Sequence, residues 1–322
     1  MTLSLPETRA YPPLLNRAEA EQFVSEHLKE LISALESVVN YGTHLIPRCW
    51  LSSPRTVRDM VQLAVLLKQI ITMEDGATEL LKQGCVEPAY LQLRAAFEAS
   101  VYLDWILKAK TPARARAYFV WNLRRLLKWA QRAQRGTRER RHYRADLQRI
   151  NVWTSFDTRE GQRFARTEAT RIEVDLAARR NRAWNRRFDK LRGNSRFDRD
   201  WYQVFFAKRR SLYHLAKITG RRAEYRLIYE VGSESMHASR SDVHVRVQKG
   251  GILRLRSLRE LPDFPFVAQM LLGIAVHSYM AILRAYRHDE LQAFRRQYNE
   301  EWRRAFLSSI QIQYRYEEVR IR

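Results

Sequence analysis

Apolar residues recur along most of this chain at three- and four-residue steps, the spacing that lines one face of an α-helix. Phe23, Val24, Leu28, Leu31, Ile32, Leu35, Val38 and Val39 make the first stripe. It opens at Asn16, an N-cap with Glu19 three residues on, and is expected to end at Gly42. A loop through Pro47 and Trp50 leads to Ser53-Pro54, the N-cap and first position of a second helix. That helix carries Val57, Met60, Val61, Ala64, Leu67, Ile71, Leu80 and Leu81 and stops at Gly84, with a break near Gly76. A third helix is predicted from about Glu87 to Lys108, and a fourth, capped by Thr111-Pro112, runs to about Gln134.

Beyond Gly220 one helix carries Tyr225 through His237. The period then changes to two: Val243 to Arg256 alternates around Lys249-Gly250-Gly251, a β-hairpin signal, and Ile310 to Tyr316 alternates strictly enough to add a third strand. Between these lie an uncharged helix from Phe264 to about Arg287 and another from His288 to about Leu307. The predicted class is mainly α: a helical bundle with an Arg-rich helical insertion and a small β-hairpin or three-stranded sheet. The expected organisation is residues 1–110 as the first half of a helical body, 111–221 as the insertion, and 222–322 as the second half with its hairpin at about 243–256.

Charge sharpens this division. The 322 residues carry a net charge of +23, with 58 Lys and Arg against 35 Asp and Glu. Between Lys108 and Arg226 there are 34 basic and 11 acidic residues, so the rest of the chain is neutral. Arginine dominates this block and aromatics interrupt it, among them Tyr143, Trp153, Phe164, Trp184, Phe188, Trp201 and Tyr213. A guanidinium forks onto phosphate oxygens and an aromatic ring stacks on a base, so a nucleic-acid partner is expected, RNA ahead of DNA. Arg124, Arg125, Arg132, Arg140, Arg141, Arg179, Arg180, Arg186, Arg187, Arg209 and Arg210 are the candidate contacts. An acidic protein and a membrane surface are the rival partners of such a block.

Composition narrows the setting. Hydrophobic residues at 45% exclude a disordered chain. Cys49 and Cys85, far apart and outside metal-ligand spacing, point to two thiols in a reducing, cytoplasmic compartment. The first residues lack a basic segment followed by an apolar run, so no signal peptide is expected. Phe264 to Leu283 is long enough to span a membrane, but Pro265, Gln269, Gly273, His277 and Ser278 interrupt it, and a buried core helix without a membrane role is expected.

Candidate chemistry lies on two helices. Tyr229, Ser233 and His237 stand at steps of four in the helix beyond Gly220, and Arg94 and Glu98 do the same in the third. His237 suits proton transfer near neutral pH, Glu98 its orientation, and Arg94 or Arg240 the stabilisation of a pentavalent phosphorus. Tyr229 and Ser233 would orient water, ribose or phosphate. The plainer alternative is a structural one: Arg94 and Glu98 pair within their helix while Ser233 and His237 bond across to them. No cofactor is implied. Glu98 and His237 as metal ligands lack companions, so no metal is expected.

Arg94-x-x-x-Glu98 followed by Tyr229-x-x-x-Ser233-x-x-x-His237-x-Ser239 resembles a widespread family of uncharacterised bacterial helical proteins, itself similar to the HEPN class of helical ribonucleases and toxins. The resemblance covers roughly residues 60 to 108 and 222 to 285 and leaves out the arginine-rich block. It implies metal-independent endoribonuclease activity in phage defence or as a toxin, with a His in proton transfer and an Arg at the phosphorane. The chain departs from that class's Arg-x4–6-His signature: Arg240 and His244 stand one residue too close, and Arg209 and His214 fit the spacing in a tract where matches are cheap. A non-catalytic nucleic-acid or ribonucleoprotein module, alone or as a homodimer, is the other function in view.

Overall fold

The computed structural model describes residues 14–51, 53–149, 157–193, 199–237, 244–247, 253–309 and 319–320. In chain order the helices are α1 (Arg17–His27), α2 (Lys29–Leu51), α3 (Val61–Lys82), α4 (Val86–Lys108), α5 (Thr111–Ala133), α6 (Arg138–Arg149), α7 (Arg159–Ala177), α8 (Arg179–Arg192), α9 (Leu212–Ile218), α10 (Arg222–Glu224), α11 (Val231–Met236), α12 (Phe264–Tyr286), α13 (Leu291–Gln297) and α14 (Arg303–Ser309). π turns at Tyr225–Glu230 and Tyr298–Trp302 join α10 to α11 and α13 to α14. The protein is mainly helical, as the 3.6-residue periodicity requires. Strands β1 (Val245–Val247), β2 (Leu253–Leu255) and β3 (Val319–Arg320) pair antiparallel in that order, with Val245 opposite Leu255 and Leu255 opposite Val319. The expected turn at Lys249-Gly250-Gly251 and the expected strand at Ile310 to Tyr316 lie outside the described residues.

The chain divides into two compact units, Met1–Lys108 with Leu212–Arg322, and Ala109–Ser211. In the first unit α4 is the central element, packed by α3, α12, α11 and α9, while α2 covers α3 and α12. Leu93, Ala96, Phe97, Val101 and Trp105 of α4 are at most 1% exposed. The aromatic cluster of Tyr41, Tyr279, Phe294 and Trp302 closes the far side of the same core.

Five local expectations are corrected. Gly42 does not end a helix: α2 runs through it, and a Cβ there would lie 2.2 Å from the Tyr279 hydroxyl and 2.9 Å from Ile71. The glycine is needed for close approach of α2 to α12, and the Tyr279 hydroxyl donates to the Val38 carbonyl at 3.2 Å. Pro47 lies inside α2, one turn from its end, where it withdraws a single backbone donor. The Ser53-Pro54 start is displaced to a 3-10 turn at Val57–Met60 leading into α3. Asn16 caps no helix with its side chain. It pairs instead with the backbone of Arg259, accepting from its N–H at 3.1 Å and donating to its carbonyl at 3.0 Å. Gly84 ends α3 as expected, in the left-handed region at φ +68°, with the Cys85 N–H closing on the Leu80 carbonyl at 2.8 Å. No break occurs at Gly76.

α12 is long and apolar enough to cross a membrane, and within this fold its Val267, Leu271, Ile274, Tyr279 and Ile282 are buried. Cys49 is buried and Cys85 half-buried, both as free thiols, and burial pushes the Cys49 thiol up to about 11.

Glu74, on α3, is fully buried, and neither carboxyl oxygen has a hydrogen-bond partner among the described residues. Burial holds its carboxyl well above the ordinary carboxylate range. The folded protein therefore keeps a proton that the unfolded chain releases above about pH 4.3, so stability falls as pH rises from there. Glu74→Gln should raise the melting temperature more at pH 8 than at pH 5. Equal shifts at the two pH values would show that the ionised carboxylate is accommodated.

The second unit is organised on α5, which packs against α6, α7, α8 and a 3-10 turn at Trp201–Phe205. Its core is small: Ala115, Val120, Leu123, Ile172, Phe188, Trp201 and Tyr202. Trp201 meets Tyr118 and Tyr202 edge-on. The unit holds 29 Lys and Arg against 10 Asp and Glu, so most of the excess charge resides here.

Candidate functional site

α4 and α11 approach closely because Gly232 has no side chain: a Cβ there would stand 2.9 Å from the Cβ of Arg94 and 3.3 Å from the Tyr90 carbonyl. The π turn rewinds the segment just before it, and Tyr225 and Tyr229 stack with ring centroids 5.0 Å apart. Tyr229 and Ser233 then both meet Arg94. Its Nε donates to Ser233 Oγ at 3.0 Å, Nη2 to the Tyr229 hydroxyl at 3.0 Å and Nη1 to Met236 Sδ at 3.5 Å. The guanidinium carbon also lies 4.3 Å from the centroid of the Tyr229 ring, within cation–π range. Ser233 completes the set by donating to the Tyr229 carbonyl at 2.6 Å.

The remaining members are placed differently. Glu98 accepts from the Tyr102 hydroxyl at 2.7 Å, one turn along α4, and no ion pair joins it to Arg94 among the described residues. His237 is the C-cap of α11 and exposed. Its backbone N–H bonds to the Ser233 carbonyl at 3.0 Å, and its imidazole makes no hydrogen bond to Arg94 or Glu98. The expected pairing of Glu98 with His237 is therefore replaced by Glu98 with Tyr102. Arg240 and Ser239 lie outside the described residues. The geometry makes Arg94 a clamp: each of its three nitrogens is engaged by α11 or the turn before it.

A second polar cluster on α4 is hidden from sequence. Arg221 is 4% exposed, and its Nη1 donates to Ser100 Oγ at 2.5 Å and Asp104 Oδ2 at 3.3 Å. Its Nε pairs with Glu224, and its guanidinium lies 5.0 Å from the Phe97 ring centroid. His277 of α12 joins through Nε2 at 2.8 Å from the same Asp104 oxygen. By sequence His277 is an ordinary core or surface residue, because its partner lies 173 positions away and on another helix. Charge alone assigns Arg221 to the insertion. It belongs instead to the body, where α9 and the turn beyond it bring it back onto α4.

In the basic unit the eleven candidate arginines separate into two groups. Arg124 donates to Asn185 Oδ1 at 2.6 Å and Asp189 Oδ1 at 2.8 Å, fastening α5 to α8. Arg140, 4% exposed, is ion-paired with Asp157. These two hold the unit together. The other nine make no ion pair among the described residues, and of them Arg125, Arg141, Arg179, Arg180, Arg186, Arg187 and Arg209 are exposed. α8 shows why: Asn181 and Phe188 face inward and the intervening arginines face solvent. Arg125, Arg132 and Arg187 lie over the rings of Trp121, Trp129 and Trp184 at 4.7, 4.8 and 4.7 Å. Among the described residues no group of three metal-ligating side chains is assembled.

Residues 62–251 match the model of a family of unknown function, DUF5677. The chain belongs to that family. The DUF5677 match contains the whole Arg94, Tyr229, Ser233 and Gly232 clamp, and also Arg221 with Asp104. It runs through the whole basic unit, which the resemblance read from the motif residues leaves out, and stops before His277. No curated protein and no solved structure matches the chain.

Proposed function

We propose that this protein binds nucleic acid, RNA in preference to DNA, through the face of residues 109–211. The observation that carries the reading is that nine of the eleven candidate arginines make no ion pair among the described residues, in a unit with 29 basic and 10 acidic side chains. Guanidinium groups, most of them on helices, that make no ion pair among the described residues repel one another, and a polyanion relieves that repulsion. Binding without cleavage is the preferred form. The ribonuclease implied by the HEPN likeness asks an imidazole and a guanidinium to converge on one phosphate, whereas here Arg94 is occupied at all three nitrogens and His237 is exposed at a helix end. The clamp then serves to fix α11 on α4.

The test replaces Arg179, Arg180, Arg186 and Arg187 together by Gln and follows a fluorescein-labelled 30-nucleotide RNA by anisotropy. Affinity at fixed salt should fall at least about tenfold, with the slope of log K against log salt shallower by roughly 0.7 for each phosphate that is no longer neutralised. The melting temperature should hold, since exposed substitutions usually change stability by under about 0.5 kcal/mol each. Unchanged affinity would refute the proposal, and so would no RNA binding by the unsubstituted chain. Loss of full-length RNA with the unsubstituted chain, and its retention with His237→Ala, would restore the ribonuclease reading.

A further inference from the structure

The outward face of α5 pairs charge with bare apolar surface. Trp129 is 52% exposed and Leu126, one turn earlier, 50%. Arg125 and Arg132 flank them at three- and four-residue steps, which places all four on one face. Neither arginine makes an ion pair among the described residues, and Arg132 lies 4.8 Å from the Trp129 ring centroid. The other described tryptophans of the unit are better covered. Trp201 is buried, Trp121 donates its indole N–H to the Arg199 carbonyl at 2.9 Å and stacks beside Tyr118, and Trp184 packs on Phe205. Trp129 alone of these four presents half its surface with no ring against it among the described residues.

We infer that Trp129 is a stacking platform for an unpaired base, with Arg125 and Arg132 on the flanking phosphates, so that the preferred ligand is single-stranded rather than duplex. This rests on the nucleic-acid reading above and adds to it the state of the strand. A duplex buries the faces of its bases in its own stack, so an indole has nothing to lie on, whereas an unpaired base offers a whole π-face. Arg132 over the indole strengthens the platform, since a guanidinium is itself planar and lies flat on such rings. An acidic protein would satisfy the arginines and leave the indole without a specific contact. The charge and the ring together therefore favour the nucleotide.

The experiment compares a labelled 12-nucleotide oligouridine with a 12-base-pair RNA duplex, both by anisotropy on the full chain at one salt concentration. Trp129→Leu keeps a side chain of similar hydrophobicity without a flat ring, and should weaken oligouridine binding by roughly five- to 150-fold. Duplex binding should stay within about twofold, and Trp129→Phe should recover most of the loss. Equal effects on the two ligands, or none on either, would overturn the stacking role while leaving the nucleic-acid reading in place. Displacement of oligouridine by a polyglutamate of equal charge at the same concentration would overturn it too. Failure of the unsubstituted chain to bind either ligand would remove both proposals together.

Discussion

Raising the salt from 50 to 200 mM should weaken RNA binding by about three hundred- to six-thousand-fold if six to nine arginines of residues 109–211 each meet a phosphate of a single strand. The figure follows from counterion release, in which each neutralised phosphate adds about 0.7 to the slope of log K against log salt. Nine arginines are available because only Arg124 and Arg140 of the eleven candidates are taken up by carboxylates among the described residues of the unit. Arg124→Ala makes an internal control. It should lower the melting temperature, since it removes the bonds to Asn185 and Asp189, and leave the salt slope nearly unchanged. A flat salt response measured by anisotropy would show that the arginines bind no polyanion.

Arg221→Met should destabilise the helical body by about 3–5 kcal/mol, because it takes away the cation facing Asp104 and Glu224 in a place with little water. Arg221 is 3% exposed as a side chain and Asp104 10%, so neither charge is well solvated once separated. For a unit of this size the loss corresponds to roughly 6–20 °C in melting temperature. Asp104→Asn in the same chain should recover part of it, since no buried carboxylate would then be left without its guanidinium and with His277 alone beside it, and the coupling of adjacent charged sites runs to about 0.5–3 kcal/mol. Additive losses in thermal melts of the two single variants and the double would show that the pair contributes nothing jointly.

Long periodic stripes made the helices readable. α4, α5 and α12 begin and end within a residue or two of where sequence puts them, because their apolar positions repeat over six turns and glycine or proline marks the ends. Gly42 and Pro47 misled for the same reason that Gly84 did not. A glycine inside a tightly packed helix and a glycine at a helix end look alike until the partner, here Tyr279, is known. The meeting of Arg94 with Tyr229 and Ser233 was visible as two polar sets on apolar helices. That His237 would fall away from this face was not, since α11 ends at Met236 and His237 is its C-cap, where the chain leaves the helix. Glu98 and Tyr102 stand four apart on one helix, a spacing that identified the pair in principle. The group of Arg221, Asp104 and His277 had no such signal, as each member is alone in its own segment.

The nesting of one unit within the other sets an order of events during synthesis. α4 is complete at Lys108, yet α12, which covers it, begins only at Phe264. At about 5–20 residues per second the ribosome needs roughly 8–30 s to supply that cover. Throughout the interval the greasy faces of α3 and α4 stand half-built, while the basic unit, whose own core lies within residues 109–211, is free to finish folding by itself. Chaperone dependence of the host half, and its absence for the guest, is the trace this topology should leave in living cells.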